Sequence, residues 1–513
     1  MLMSDILKEE DAVTASPKLV HVLRTIIGQA DQKGEQLFLH FSQPKGEDLR
    51  PDARNIDLNK LMQNVGGEQF GYDTFKAAYD TDARVKSMIA NFSEKGIEPK
   101  TKKTPTDTPQ GDSQDGGKSF EQLMPAYGVD NGVHPDHHAW WIHPKNGKFM
   151  IDGNDGGLNI TKDGGKSWRF IGNIPVAQFY HINVDNEFPY NIYGGMQDNG
   201  SWRGPSYVWK AQGIRNSYWQ EISFGDGFDV VPDKEDSRFG WSMSQQGYVS
   251  RYDWQTGNNY IVRPTHPDPN TDLRFNWNAA INIDPFNHST LYFGSQFVHK
   301  SIDKGETWSI ISPDLTTNDP EKQKQAQSGG LTMDATGAEN FTTIIVIEPS
   351  PIEKDMIWTG TDDGKVQITQ NGGTSWTDVS KNIKGLPQGS WIPQIKASNK
   401  NKGEALLIAN DYRRFNYTPY AFKTKDYGKN WERIVDENDV KSYTLCILED
   451  SEEPNLMFLG TDDGLYISID AGNKWTKWTA GFPTVSVKDL IIHPRENDLV
   501  IGTFGRAAWI LDD

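Results

Sequence analysis

Six times along this chain the pattern S/T-x-D/N-x-G-x-x-W/F recurs: SQDGGKSF (113–120), TKDGGKSW (161–168), SIDKGETW (301–308), TQNGGTSW (369–376), TKDYGKNW (424–431) and SIDAGNKW (468–475). Each copy has the chemistry of a hairpin turn. The Asp or Asn bonds its own backbone, Gly supplies a positive φ, and the aromatic returns to pack beneath the turn. Before the boxes lie apolar runs bounded by turn residues, such as TTIIVIEPSP (342–351), KDMIWTGTDDGKVQIT (354–369) and NLMFLGTDDGLYIS (455–468), which read as strands. Four strands per repeat make a propeller blade. Box starts are separated by 48, 140, 68, 55 and 44 residues, and blades of roughly 40–50 residues with insertions account for most of these gaps. The longest gap is expected to hide two blades without boxes, at 178–204 and 227–253. The final segment (487–511) supplies three strands, and the first box with SFEQLM supplies an outer strand, so pairing them would close the ring by strand exchange. The expectation is an all-β fold: a seven- or eight-bladed β-propeller over residues 113–513.

The first 112 residues differ in kind. PKLVHVLRTIIGQA (17–30) and FKAAYDTDARVKSMIANF (75–92) carry apolar residues at helical spacing around one strand, EQLFLHFSQ (35–43). Residues 1–99 therefore read as a small α-rich unit without a chemical motif, and the polar, Pro-rich stretch at 100–112 reads as a linker. A net charge of −18 argues against a nucleic-acid partner, because phosphate binding needs basic surface. The single cysteine, Cys446, excludes an intrachain disulfide framework and reads as a buried strand residue. No run of about 18 apolar residues exists to span a membrane. The start, MLMSDILKEEDAV, lacks the basic and apolar regions of a signal peptide, so a cytoplasmic location is expected for the chain as it stands.

Position along the blade separates scaffold from site. The boxes join third and fourth strands and occupy their polar groups internally, which makes them scaffold. Turns between second and third strands lie on the opposite rim, with the segments that lead into each innermost strand. Those turns read NDGG (154–157), MQDNG (196–200), SQQG (244–247), GSQF (294–297), TDDG (361–364), NDYRR (410–414), TDDG (461–464) and TFGR (503–506). Lead-in segments add Asp136, His137 and His138, then Asp226, Asn276, Asn278 and Glu339. Tight turns favour Asp, Asn and Gly in any case, but Gln197, Arg413 and Arg506 are not turn residues. The expected ligand-binding crown comprises His137, His138, Gln197, Asp198, Asn276, Asn278, Glu339, Asp363, Asp411, Arg413 and Arg506. Amides, acids and guanidinium groups beside Trp140, Trp202, Trp277 and Trp391 suit a sugar; a peptide would use Arg413 or Arg506 to hold a terminal carboxylate. HPDHH is not read as a metal site, because adjacent histidines on an extended chain point to opposite sides. No metal or other cofactor is expected.

The stretches HPDHHAWWIHP (134–144), MIDGNDGGLNIT (150–161), YGGMQDNGSWRGP (193–205), FGDGFDVVPD (224–233), SPDLTTNDPEKQ (312–323), GAENFTT (337–343) and IGTFGRAAWILDD (501–513) closely resemble the bacterial Asp-box (BNR-repeat) propeller proteins related to the sortilin ectodomain. Many of these are labelled glycosyl hydrolases. The resemblance covers about 400 residues and departs before Ser113, where family members carry a further propeller. It implies a secreted or periplasmic location if the N-terminus is incomplete. Two functions stay open: a recognition propeller binding glycan or peptide at the pore mouth, and a glycoside hydrolase working with two crown carboxylates. For hydrolysis the best pair is Asp136 and Asp226, with Asp155 in reserve. A separation of about 5 Å would mean retention and about 6.5–9.5 Å inversion.

Overall fold

The computed structural model describes residues 35–43, 49–64, 69–101, 133–324 and 340–512, scattered helical residues between 19 and 30, and Ser119 and Leu123. The first box, apart from Ser119, and Glu339 lie outside the described residues, as does most of the expected linker. Two compact units result, residues 1–123 and 124–513.

In the first unit the helices expected from periodicity include Tyr72–Thr81, which buries Phe75 and Ala78. They are joined by a four-stranded sheet, where one strand was expected. Strand β1 (Leu37–His40) is fully buried and pairs in parallel with β2 (Arg54–Asp57). It also pairs antiparallel with β4 (Gly96–Pro99), whose other neighbour is β3 (Ile89–Ser93). Short, weakly alternating runs such as RNID carry no strand signal of their own, and the buried β1 recruits them.

The second unit contains eight antiparallel sheets in simple strand order, seven with four strands and the last with three. Both sheets expected in the longest gap are present, at 179–223 and 230–261. Every described box joins a third to a fourth strand. In SIDKGETW the Ser301 hydroxyl donates to Asp303 Oδ1 at 2.7 Å and accepts the Gly305 N–H at 2.8 Å. Asp303 in turn accepts the N–H and hydroxyl of Thr307 at 2.9 and 2.6 Å. The same pattern recurs from Thr161, Thr424 and Ser468, so each turn closes on itself.

Three of the box tryptophans tie one sheet to the one before it. Trp308 donates its indole N–H to the Val262 carbonyl at 2.7 Å, Trp376 to Ile311 at 3.0 Å and Trp475 to Ile434 at 2.7 Å. Each acceptor directly follows the preceding sheet's outer strand. On the inner side, a glycine of the second strand admits the next sheet: a Cβ on Gly294 would lie 3.1 Å from Ile344, and one on Gly360 2.7 Å from Ile392.

This rule locates the ring closure. A Cβ on Gly502 would lie 2.9 Å from Ile182, so the last sheet (486–511) packs against the 179–223 sheet. Gln178 bridges to Phe504, and Tyr190 stacks on His493 at 4.0 Å and donates to Asp498 at 2.7 Å. Among the described residues seven sheets thus follow one another around a central channel, the last with three strands; the first box, expected to add its fourth, lies outside them. The 137–170 sheet is not between any two of them. A Cβ on Gly153, the equivalent glycine, would meet only Ala139 of its own sheet. His138–Ile142 are exposed. The expectation that NDGG (154–157) belongs to the ring is corrected: its sheet sits beside the 179–223 sheet, tied by Asn199 to the Asp155 carbonyl at 2.8 Å and Asn216 to the Gly172 carbonyl at 2.7 Å.

Candidate functional site

One rim of the channel opens into a 270 Å³ cavity lined by Tyr180, Gln197, Trp277, Asn278, Trp391 and Arg413, among others. Below it a 530 Å³ cavity continues along the axis, and His181, Gln394 and Asp489 line both. Most innermost strands are apolar enough to pack between neighbours yet set a polar residue, within the strand or just before it, toward the axis, which is how His181, Asp229, Glu348, Lys396 and Asp489 meet there. His181 Nδ1 lies 3.2 Å from Asp489 Oδ2. Burial lowers the imidazole pKa, but the bond and charge of Asp489 prevail and hold it above its ordinary value. Glu348 is raised by burial, and its charge leads in raising Lys396.

At the upper rim Arg413 lies flat on Trp391, its guanidinium carbon 3.4 Å from the ring centroid and 4.5 Å from that of Tyr412. Burial lowers its pKa. Lys488, on the innermost strand Ser486–Ile492, sets its ammonium 4.9 Å from the Phe504 ring. Burial first, and Arg413 second, push it down to about 8.

Beside this rim stands a carboxylate cluster. Oxygens of Asp136, Asp155 and Asp198 all lie within 4.8 Å of one another. The Asp198 N–H donates to Asp226 Oδ1 at 2.9 Å, and His138 Nε2 lies 2.5 Å from Asp155 Oδ1. Asp198 holds φ 61°, a left-handed backbone inside MQDNG that turns its carboxyl toward the other three. Desolvation, then Asp226 and Asp155, push Asp198 up to about 7. Adjacent carboxyl groups disfavour its ionisation because like charges repel. Three such oxygens also have the chemistry to hold a hard cation.

The expected residues divide clearly. Gln197, Asn276, Asn278 and Arg413 line the mouth, and Asp136, Asp155, Asp198 and Asp226 form the cluster. His137 is turned inward, 2.9 Å from buried Asp152. Asp363 is a correction: far from an exposed loop group, it is buried and accepts the N–H and hydroxyl of Thr317 at 2.7 and 2.6 Å. Asp411 likewise braces its own turn, accepting from Arg414 at 2.5 Å and Asn416 at 3.2 Å. Arg506 is exposed and away from the cavity. Sequence reasoning missed Lys488, His181 and Asp489. The signal was a polar residue inside an apolar innermost strand, as in SVKDLII and FYHINV.

Among the described residues no helix is long and apolar enough to cross a membrane. No curated protein matches the chain. Among solved structures, it is similar to a GH74 xyloglucanase from Xanthomonas campestris at 16% identity, covering 67% of this chain and 53% of that one, with a TM-score of 0.48. The chain thus spans about half the length of that enzyme. It is similar also to YCF48 bound to D1 peptide (10% identity, 66% and 95% covered, TM-score 0.43) and to the extracellular domain of the putative hybrid two component system BT4673 from B. thetaiotaomicron (12%, 66% and 39%, 0.43). The family described as Sortilin, neurotensin receptor 3, matches residues 420–509, which hold two boxes and the last two sheets. With its self-closed Asp-box turns and ring of antiparallel sheets, the chain is an Asp-box β-propeller whose residues 420–509 are similar to the sortilin family.

Proposed function

We propose that this propeller is a recognition module that binds a glycan or peptide at the upper mouth of its channel. The observation that carries the reading is Arg413, fixed against Trp391 at 3.4 Å with no carboxylate partner among the described residues. A partly desolvated guanidinium without a counter-charge has a strong unmet preference for an acceptor group. Gln197 and Asn278 stand beside it in the same cavity. Screening the full chain against glycan and peptide arrays, followed by Arg413→Ala on the hits, tests the reading. Loss of binding with an unchanged melting temperature is expected; retained binding would move the site elsewhere.

A second reading, hydrolysis of a glycoside, is favoured by the carboxylate cluster next to the mouth. Asp198 holds a proton to about pH 7 beside other carboxyl groups, which suits it to the role of a general acid. The spacing of Asp136, Asp155 and Asp198, within 4.8 Å, is nearer the roughly 5 Å of retaining enzymes than the wider inverting gap. Asp136 and Asp226 remain the pair chosen from sequence, with Asp155 behind them. Incubating array hits with the protein and with Asp226→Asn and Asp198→Asn, and following products by NMR, decides this. Turnover that survives both substitutions would end the hydrolase reading.

A further inference from the structure

Two positive charges share the channel mouth, and neither makes an ion pair among the described residues, the nearest carboxylate influences being Asp362 on Arg413 and Asp462 on Lys488. Arg413 enters from the turn after Asp411 and Lys488 from the last sheet's innermost strand, into one 270 Å³ cavity. Lys488 Nζ is 4.9 Å from the Phe504 centroid and 5.8 Å from that of Tyr180, as Arg413 is held by Trp391 and Tyr412. Aromatic faces position both cations, and no hydrogen bond or ion pair reaches either among the described residues. Elsewhere in the propeller Arg274 pairs with Asp314 at 2.8 Å and Lys423 with Glu404 at 2.7 Å, whereas Arg203 and Arg263 each lie singly on an aromatic ring; the mouth is where two such cations share one cavity. On a chain of net charge −18, an unpaired couple of cations in one cavity is against the overall trend.

The neutral groups around them are unpartnered in a complementary way. Trp277 Nε1 is a buried donor with no acceptor, and Asn410, 3% exposed, has a buried Oδ1 with no donor. Gln197 and Gln394 each use Oε1 internally, on the Tyr180 hydroxyl and the Ile447 N–H. Their amide nitrogens are left as donors beside the cavity. Donors thus outnumber acceptors, around two charges.

The geometry points to an acidic sugar, a uronate residue, as the ligand class: its carboxylate between Arg413 and Lys488, its hydroxyls on Trp277, Asn410 and the glutamine amides. This rests on the reading of the mouth as the ligand site. One carboxylate with several hydroxyls on a small ring matches two cations and a mixed set of neutral donors and one acceptor. An apolar peptide tail would satisfy the charges and leave those neutral groups unpaired.

Titration calorimetry on the full chain tests this with trigalacturonate, its carboxyl-reduced neutral counterpart, and a short apolar peptide with a free terminal carboxylate. The uronate is expected to bind, with affinity that falls as salt rises. Arg413→Gln and Lys488→Met should each weaken it by about tenfold or more, and Lys488→Arg should restore much of the loss. If a charge-removing variant does not fold, the salt dependence of the unaltered protein decides instead. Equal binding of the neutral sugar, without a salt effect, would overturn the acidic-ligand inference and leave the mouth a binding site. Binding of the peptide but not the uronate would overturn it in favour of a peptide. No binding in any of the three, while an array hit still depends on Arg413, would overturn it without touching the recognition reading.

Discussion

The backbone N–H of Asp198 donates to Asp226 Oδ1 at 2.9 Å, which fixes the Asp198 carboxyl beside Asp226 in a cluster that also includes Asp155 and Asp136. The carboxyl pKa is raised to about 7 from an unfolded value of 3.8. Between these two values the folded protein keeps a proton that the unfolded chain releases. Stability from this group is therefore fully present below about pH 4, falls as pH rises toward 7, and levels off above it. Melting temperatures measured with a chelator present should decline over that window in the natural protein. Asp198→Asn, which cannot ionise, should remove that part of the decline.

Box chemistry should appear as stability alone. Asp303→Ala removes acceptors for Ser301, Thr307 N–H and the Thr307 hydroxyl. A loss of about 1–2 kcal/mol is expected in urea unfolding, with ligand binding at the channel mouth unchanged.

Gly195 is a site where no side chain fits. A Cβ there would lie 2.2 Å from the Phe228 nitrogen and 2.3 Å from the Gly227 carbonyl carbon, backbone of the next sheet. Gly195→Ala should cost about 2 kcal/mol or more, because the two sheets must separate. Gly153→Ala is the internal control: with Ala139 Cβ at 3.6 Å and no neighbouring sheet, it should be far milder. Thermal melts of the two variants check the contrast.

Ring closure rests partly on one polar contact. Tyr190 is fully buried and donates to Asp498 at 2.7 Å, and His493 lies 2.9 Å from the Asp185 carbonyl. Tyr190→Phe leaves Asp498 without that donor and should destabilise by about 1 kcal/mol. His493→Ala also loses the stacked ring and should lose more, which denaturant midpoints would show. Equal effects would place the closure's strength in Ile182 and Val500 instead.

Much of this fold was legible in the chain because its determinants are local. A box closes on its own Ser or Thr, Asp or Asn and Gly within eight residues, so TKDYGKNW declares its turn without reference to any other segment. The same holds for apolar strands, and even the two sheets without boxes followed from spacing. The placing of Gln197 and Arg413 on the cavity rim followed from their second-to-third turns, and that of Asn278 from its lead-in segment.

Only the tertiary structure decided which sheets share a ring. HPDHHAWW and its box read as an ordinary blade, yet Gly153 meets no neighbouring sheet and the strand's His138–Ile142 are exposed. Closure is a contact between Gly502 and Ile182, more than 300 positions apart, and sequence spacing does not encode such pairings. Asp363 shows the same limit, since only Thr317 from the preceding sheet's exit segment turns that exposed-looking turn residue into a buried bracket. The carboxylate cluster and the two unpaired cations are of this kind as well. Their chemistry resides in side chains named by the sequence, and their charge state is set by neighbours that only the closed ring brings within reach.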